Sequence, residues 1–505
     1  MWQRFTFYDF RMICHYLGVL VSFNAAALAI PAITGVLLGE WEPASRYFMA
    51  AGVSLVIGAI MQMALYEPGD LNSQQALAVT AFSWIVLAII GAIPLFFSGH
   101  FGSYLDALFE AVSGWTVTGA SVISDLNHLS YADNMWRFSM HLFGGMGLVV
   151  IALSLGMLGR GSSGGLYSLE GHTERVVPNV VKTTRLIASI SLIFIGVFGV
   201  LLTIMCLLSG MEPLRSALHG FWIAISGFMT AGFTPTDSNI YYYHSFVMEL
   251  LIMVVMLMGG INFSLYVELW KGRFFSFWKD TELRTMALWL LILVAVFTLS
   301  LTSSELFDGA TEMARRGLFM VFSAASTAGF ATVTQNQMVT VFSSGAVLVL
   351  AAAMAVGLSC GSTAGGIKIG RISTIFKSIM ATVKQAASPD SMKIVSVYHH
   401  LGRRVVDEGM VKAAMTIFAL FIMTYALGTL AGIAHGYDAV SAIFDAISMA
   451  SNGGLSSGII SADMPATLEL VYIVEMLAGR IEFVALIALL IKIVVSVVPR
   501  PKEEA

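Results

Sequence analysis

Apolar runs long enough to cross a membrane recur from one end of this 505-residue chain to the other. A helix needs about 20 apolar residues to span a hydrocarbon core. Candidates lie near residues 14–38, 46–66, 76–98, 136–158, 184–209, 243–269, 285–303, 341–380, 410–433 and 467–497. Only 11% of the residues are charged, against about 25% in an ordinary soluble domain. That is too little charge to cover a water-exposed surface, and the mean hydropathy of +0.82 agrees. In lipid every backbone polar group must be paired within the protein, and runs of this length do so as helices. The chain therefore reads as an all-α integral membrane protein without a large soluble domain. Arg4 and Arg11 precede the first run, and Ala27-Leu28-Ala29 resembles a signal-peptidase site. The run continues through Leu38, which predicts a retained first helix.

Lysine and arginine set the expected orientation, because cytoplasmic loops collect them. Arg4, Arg11, Arg160, Arg175, Lys182, Arg185, Lys271, Arg273, Lys279, Arg284 and the basic residues of 368–412 and 492–502 fall on one side, 21 of 27 in all. Arg46, Arg137, Arg215, Arg315 and Arg316 fall on the other, and Arg480 lies within a span. Both termini and the 381–408 loop are thus expected in the cytoplasm. The odd number of cysteines (Cys14, Cys206, Cys360), all in or beside apolar stretches, predicts packing residues rather than disulfides. No basic block is dense enough for nucleic acid.

Two features break the simple pattern of spans. The 341–380 run is nearly twice a span's length and contains Gly357-Leu358-Ser359-Cys360-Gly361-Ser362-Thr363-Ala364-Gly365-Gly366. Such backbone is tolerated at membrane depth only where protein buries it or it lines a wet cavity, which predicts a broken helix. The second feature occurs four times. Between paired spans lie semi-apolar segments too short to cross, each ending in a glycine: Gly119, Gly232, Gly329 and Gly454. Six residues before each glycine is a serine (Ser113, Ser226, Ser323, Ser448), and ten before is an aromatic (Phe109, Trp222, Phe319, Phe444). Two before are Val117, Thr230, Thr327 and Asn452.

The aromatic and the serine are four apart and share a helix face. Each segment is expected to be a short helix running into a glycine-bearing stretch that enters the membrane and turns back. Four such stretches around one axis would present rings of backbone carbonyls, which replace the hydration shell of K⁺ in channel filters. The helices would aim their partly negative C-terminal ends at the axis. The plainer reading is four hairpins that only pack.

With these residues in view, the chain resembles the Trk/Ktr/HKT superfamily of potassium transporters. The resemblance rests on Thr118-Gly119-Ala120, Ala231-Gly232-Phe233, Ala328-Gly329-Phe330 and Gly453-Gly454-Leu455. It is strengthened by Phe143-Gly144-Gly145-Met146-Gly147, by Cys360–Gly366 with Lys368, and by Ala478-Gly479-Arg480-Ile481-Glu482. It covers about residues 76–497, and two extra N-terminal helices make it more like the Trk membrane subunit than the Ktr one. It implies four pseudo-symmetric helix–pore loop–helix repeats around a central pore, plus two N-terminal transmembrane helices. The expected divisions are an extension (1–70) and repeats 71–180, 181–280, 281–405 and 406–505.

The resemblance also implies roles. K⁺ would be the transported ion, held at backbone carbonyls of a filter formed by Thr118, Gly119, Ala231, Gly232, Ala328, Gly329, Gly453 and Gly454. Family members with serine at the first filter glycine can favour Na⁺, so Gly119 implies K⁺. Gly357, Cys360, Gly361, Ser362, Thr363, Gly365 and Gly366 would form an intramembrane gating loop, with Arg480 as a positive barrier in the pore. The protein would be a homodimer in the plasma membrane, in contact with lipid and with a cytosolic nucleotide-binding regulatory subunit of the TrkA/KtrA type. No organic cofactor is expected in this chain.

Other readings were open at this level. Arg480 could form a structural ion pair with Glu475 or Glu482. Gly357-Leu358-Ser359-Cys360-Gly361 fits the Gly-x-Ser-x-Gly elbow of hydrolases, but that motif needs a strand-to-helix turn with His and Asp partners. No phosphate-binding Gly-x-x-x-x-Gly-Lys-Ser/Thr motif is present. No cluster of His, Asp and Glu at catalytic spacing suggests an enzyme. His399-His400 reads as a solvated pair in a cytoplasmic loop. An ion-coupled secondary transporter (H⁺ or Na⁺ symport) is the alternative to a channel-like K⁺ uptake protein, since such folds also use broken helices.

Overall fold

The computed structural model describes residues 5–65, 71–146, 180–301, 310–340, 342–389, 392 and 394–497. Helix α1 (Phe7–Leu38) opens with a capping box, in which Thr6 and Asp9 exchange side-chain-to-amide hydrogen bonds of 3.2 and 2.8 Å. It closes at left-handed Gly39. The chain turns straight into α2 (Trp41–Ala64), which returns along α1. A side chain at Gly58 would collide with Ser22 and the Gly18 carbonyl. Gln62 crosses the same seam to Ser22 Oγ (2.7 Å) and Gly18 O (3.1 Å). Small residues and interhelical polar bonds of this kind hold helices together in lipid.

The rest of the chain runs through one element order four times: a long helix, a short helix with a buried face, and a second helix, which in the last three units breaks. First come α3 (Ser73–Phe96), α4 (Tyr104–Thr116) and α5 (Tyr131–Gly145). Next are α6 (Val180–Leu208), α7 (Pro213–Phe228) and α8 (Phe246–Gly259), with α9 (Phe263–Trp270) and α10 (Phe274–Lys279) behind. Then follow α11 (Thr281–Leu301), α12 (Ala310–Ala325), α13 (Gln335–Thr340), α14 (Ser344–Ala355) and α15 (Ile369–Ala386). After an antiparallel hairpin of β1 (Val397–His399) and β2 (Arg403–Val405), the chain ends in α16 (Glu408–Ala434), α17 (Ala439–Ala450), α18 (Ala466–Arg480) and α19 (Val484–Val497).

Six helices among the described residues, α1, α2, α3, α6, α11 and α16, are long and apolar enough to cross a membrane unbroken. They match six of the ten expected spans. Three of the other four spans are interrupted within the described residues, where the sequence pattern predicted one. The 243–269 run bends by 95° between α8 and α9. The 467–497 run stops at Arg480 and resumes at Val484, with Glu482 and Phe483 at φ of 57° and 59°. In the 136–158 run, α5 ends at Gly145, and the part beyond Met146 lies outside the described residues. The 341–380 run is broken as expected, between Ala355 and Ile369.

The breaks have a steric cause. A side chain at Gly144, Gly259 or Gly479 would collide with the carbonyl oxygen of Trp115, Phe228 or Ala450, respectively. Each of those residues stands four before one of the four repeated glycines, so the second helix of three units presses bare backbone against the end of its own short helix. Glycine also weakens a helix interior by about 1 kcal/mol relative to alanine.

Candidate functional site

The short helices α4, α7, α12 and α17 are encased by protein. Their aromatic and serine columns are all at or below 1% exposure, so this face of each helix is buried in protein. All four end identically. The amide of Val117, Thr230, Thr327 or Asn452 donates to the carbonyl three residues back (Gly114, Gly227, Ala324, Met449) at 3.0–3.3 Å. The next amide, of Thr118, Ala231, Ala328 or Gly453, donates to Ser113, Ser226, Ser323 or Ser448 at 2.7–3.0 Å. This bond pair is the Schellman motif, which needs a left-handed residue at its turn. That residue is usually glycine, yet here it is valine, threonine, threonine and asparagine, at φ of 62°, 52°, 55° and 53°. A β-branched residue in this region is an outlier and costs roughly 1–3 kcal/mol, so its surroundings must hold it there.

Those surroundings are visible. Thr327 Oγ1 accepts the Gly365 amide at 2.7 Å, and Thr230 Oγ1 donates to Thr363 Oγ1 at 3.2 Å. Asn452 Nδ2 donates to Thr118 Oγ1 (2.9 Å) and to the Met476 carbonyl (3.0 Å).

Two residues beyond each strained position the chain turns left-handed again, at Gly119 (φ 81°), Gly232 (98°), Gly329 (73°) and Gly454 (70°). The four glycines meet in cyclic order. A Cβ added to Gly119 would strike the Ala231 carbonyl oxygen, one on Gly232 that of Ala328, one on Gly329 that of Gly453, and one on Gly454 that of Thr118. The eight sequence-predicted filter residues are therefore brought together, each glycine against the carbonyl of the next loop. A cavity of about 490 Å³ opens on this closed ring and is lined by all four glycines, with Asp237 and Asp463 in its wall.

Sequence reasoning missed the groups that hold the loops. Nine residues before Gly119 and Gly454 stand Glu110 and Asp445, both fully buried. Glu110 accepts the Val122 amide (3.2 Å) and Asp445 the Ser457 amide (2.7 Å), three residues past the glycine in each case. Arg137, also fully buried, pairs with Glu110 at 2.8 Å, donates to the Thr234 carbonyl at 3.1 Å and covers the Phe233 ring at 4.1 Å. It thus ties the first loop to the second. Asn239 Oδ1 accepts the Ala331 amide at 3.0 Å and ties the second to the third. The acid at the position nine before the glycine was the available signal, but Ile223 and Met320 replace it in the other two units.

The sequence-predicted gating segment packs against the residues just before the ring glycines. Thr363 Oγ1 donates to the carbonyls of Phe228 (3.0 Å) and Gly259 (2.9 Å). Gly365 has no room for a side chain against the Ser451 carbonyl, nor Gly357 against that of Gly365. Gly361 O accepts the Phe263 amide at 3.2 Å, Ser362 Oγ bonds back to Ser359 O at 2.6 Å, and Lys368 Nζ donates to Ala364 O. Gly366 is left-handed at φ 67°. Cys360 lies apart from this group, beside Glu282 and Gly370. Arg480 donates to Thr363 O (3.3 Å) and to Gly144 O (2.9 Å), joining the segment to the broken end of α5. Glu482 pairs with Arg371 at 2.6 Å. The strand-to-helix elbow of a hydrolase is not present here: Ser359 follows the end of a helix.

The comparisons with known proteins bear on this geometry. The family model for TrkH, described as cation transport protein, matches residues 45–497. The chain belongs to the TrkH family. It is a membrane cation transport protein and not an enzyme. A TrkH-family relative, the Trk system potassium uptake protein of Salmonella typhimurium, is 30% identical over 95% of this chain and 98% of its own. An uncharacterized cation transporter of Methanocaldococcus jannaschii is 27% identical, over 96% of each chain. Among solved structures, the potassium transporter TrkH from Vibrio parahaemolyticus superposes with a TM-score of 0.81 at 25% identity, over 95% of this chain and 98% of that one.

Proposed function

We propose that this chain takes up K⁺ across the plasma membrane through a selective pore formed by four pseudo-symmetric helix–pore loop–helix units. The units correspond to residues 71–180, 181–280, 281–405 and 406–505, with 1–70 as a two-helix extension. The observation that carries this reading is the cyclic meeting of the four glycine loops. The carbonyls of Thr118, Ala231, Ala328 and Gly453 occupy equivalent positions in it, one from each loop. Such a ring supplies the oxygen ligands that substitute for water around K⁺. Two pairs of charged residues are in keeping with the expected polarity. Arg46 and Asp133 (3.1 Å), and Arg315 and Glu249 (2.6 Å), neutralise basic residues expected on the outer face. The positive-inside pattern of the remaining loops then puts both termini in the cytoplasm.

K⁺ would enter from the cavity walled by Asp237 and Asp463, whose charge raises local cation concentration. It would lose water at the loops and meet the Gly357–Gly366 segment with Arg480 beneath. The membrane potential drives the ion inward at about 2.3 kcal/mol per charge per 100 mV. The name of the Salmonella relative supports K⁺ as cargo and a Trk system as the setting; the family resemblance adds a cytosolic nucleotide-binding subunit that would dock beneath and a homodimer as the working form.

The test is flux into liposomes holding the purified protein. K⁺ entry that follows the K⁺ gradient and the imposed voltage, with no H⁺ or Na⁺ gradient, is expected. Uptake that appears only when an H⁺ or Na⁺ gradient is supplied would replace this reading with an ion-coupled transporter.

A further inference from the structure

We propose that His400, Asp280 and Glu282 bind a divalent transition-metal ion of the Zn²⁺ class, which joins the β1–β2 hairpin to the first turn of α11 beside the Gly357–Gly366 segment. His400 is not the solvated loop residue that its sequence context suggests. It is 6% exposed, and its Nδ1 stands 2.6 Å from Asp280 Oδ2. Asp280 is fully buried, and its other oxygen caps α11 by accepting the amides of Glu282 (2.9 Å) and Leu283 (3.2 Å). That cap fixes the carboxylate and leaves Oδ2 to face the imidazole. Hydrogen bonds that orient a ligand in this way are part of a working metal site.

One donor atom from each of the three residues lies within 4.8 Å of the others. Donors bound about 2.0–2.2 Å from a tetrahedral ion stand roughly 3.5 Å apart, so small side-chain rotations complete the site. A plain capping bond between His400 and Asp280 explains two of the three groups. It does not explain Glu282, whose Oε2 is buried without a hydrogen-bond partner. A carboxylate oxygen in that condition is costly, and a cation between the three donors removes the cost.

The donor set decides the class of ion. Imidazole with carboxylates suits transition metals, whereas Mg²⁺ and Ca²⁺ take oxygen ligands. The Cys360 thiol, beside Glu282 at Gly370, adds a soft group next to the site. Through Cys360, which belongs to the chain of the predicted gating segment, an ion held here neighbours that segment, so occupancy would stiffen or shift it. The binding claim stands apart from which ion the pore carries.

Binding is tested on the full-length protein in detergent, stripped by chelator and titrated with Zn²⁺ against a competing fluorescent indicator. About one Zn²⁺ per chain is expected, weakened by roughly tenfold or more in both Glu282→Gln and His400→Gln. Millimolar Mg²⁺ or Ca²⁺ should fail to displace it. Glu282→Gln leaves the Asp280–His400 bond intact, so its result does not depend on losing the hairpin's anchor. Absence of a stoichiometric Zn²⁺ site, binding unchanged in both variants, or displacement by Mg²⁺ would each overturn the proposal.

Discussion

Arg480 joins two broken backbones, the Gly357–Gly366 segment through Thr363 and α5 through Gly144. Its side chain therefore does two things at once if the pore runs past it: it latches the segment and it repels the cation. A unit charge about 8 Å from the ion at an effective dielectric of about 20 contributes roughly 2 kcal/mol. Arg480→Gln is accordingly expected to raise K⁺ flux by roughly tenfold or more, read in the liposome assay at fixed voltage. Unchanged or reduced flux would show that the arginine is structural only. This residue was legible in the sequence because a charge inside an apolar run stands out. Glu110 and Asp445 were not, because each lies in a short segment already read for its serine and aromatic columns, and two of four units lack the acid. The burial of His400 was equally hidden, since its partner Asp280 is 120 residues away.

At the scale of elements, the aligned serine column proves to mark a backbone event. Its carbonyl closes the helix in all four units, while its hydroxyl is used differently. Ser113 Oγ donates to Ala120 O (2.6 Å) and Ser226 Oγ accepts the Gly232 amide (2.9 Å). The sequence pattern located the short helices and the long break in 341–380, but read 243–269 and 467–497 as continuous. The paired glycines at 259–260, and Gly479, carried the missing information. Periodicity of apolar residues runs through a break unaltered when both halves face apolar surroundings, so hydropathy alone could not expose it.

The packing of these glycines predicts a contrast. Gly259→Ala, which would drive a methyl into the Phe228 carbonyl, should destabilise the protein by about 1–3 kcal/mol and lower its thermal midpoint. Gly52→Ala in α2 meets nothing within 4 Å and should be neutral or stabilising by up to about 1 kcal/mol. Equal midpoints for the two variants would contradict the close approach.

For the molecule as a whole, four loops with one backbone geometry close on each other although their residues differ. Only the left-handed glycine is common to all; the strained position before it is valine, threonine or asparagine. Three of the four strained positions carry a side-chain anchor, and two of those anchors, Thr230 and Thr327, reach the Gly357–Gly366 segment. The ring and that segment are thus one hydrogen-bonded body. The ring itself is the most exacting part, since Gly119 faces the Ala231 carbonyl with no space for a side chain.

K⁺, Rb⁺ and Na⁺ flux should therefore be measured side by side for the wild type and Gly119→Ser in liposomes, with equal protein incorporation. Wild-type flux that favours K⁺ and Rb⁺ over Na⁺, and a K⁺/Na⁺ ratio that falls several-fold in the variant, is the predicted result. A ratio indifferent to the substitution would contradict a filter built from the four glycine loops.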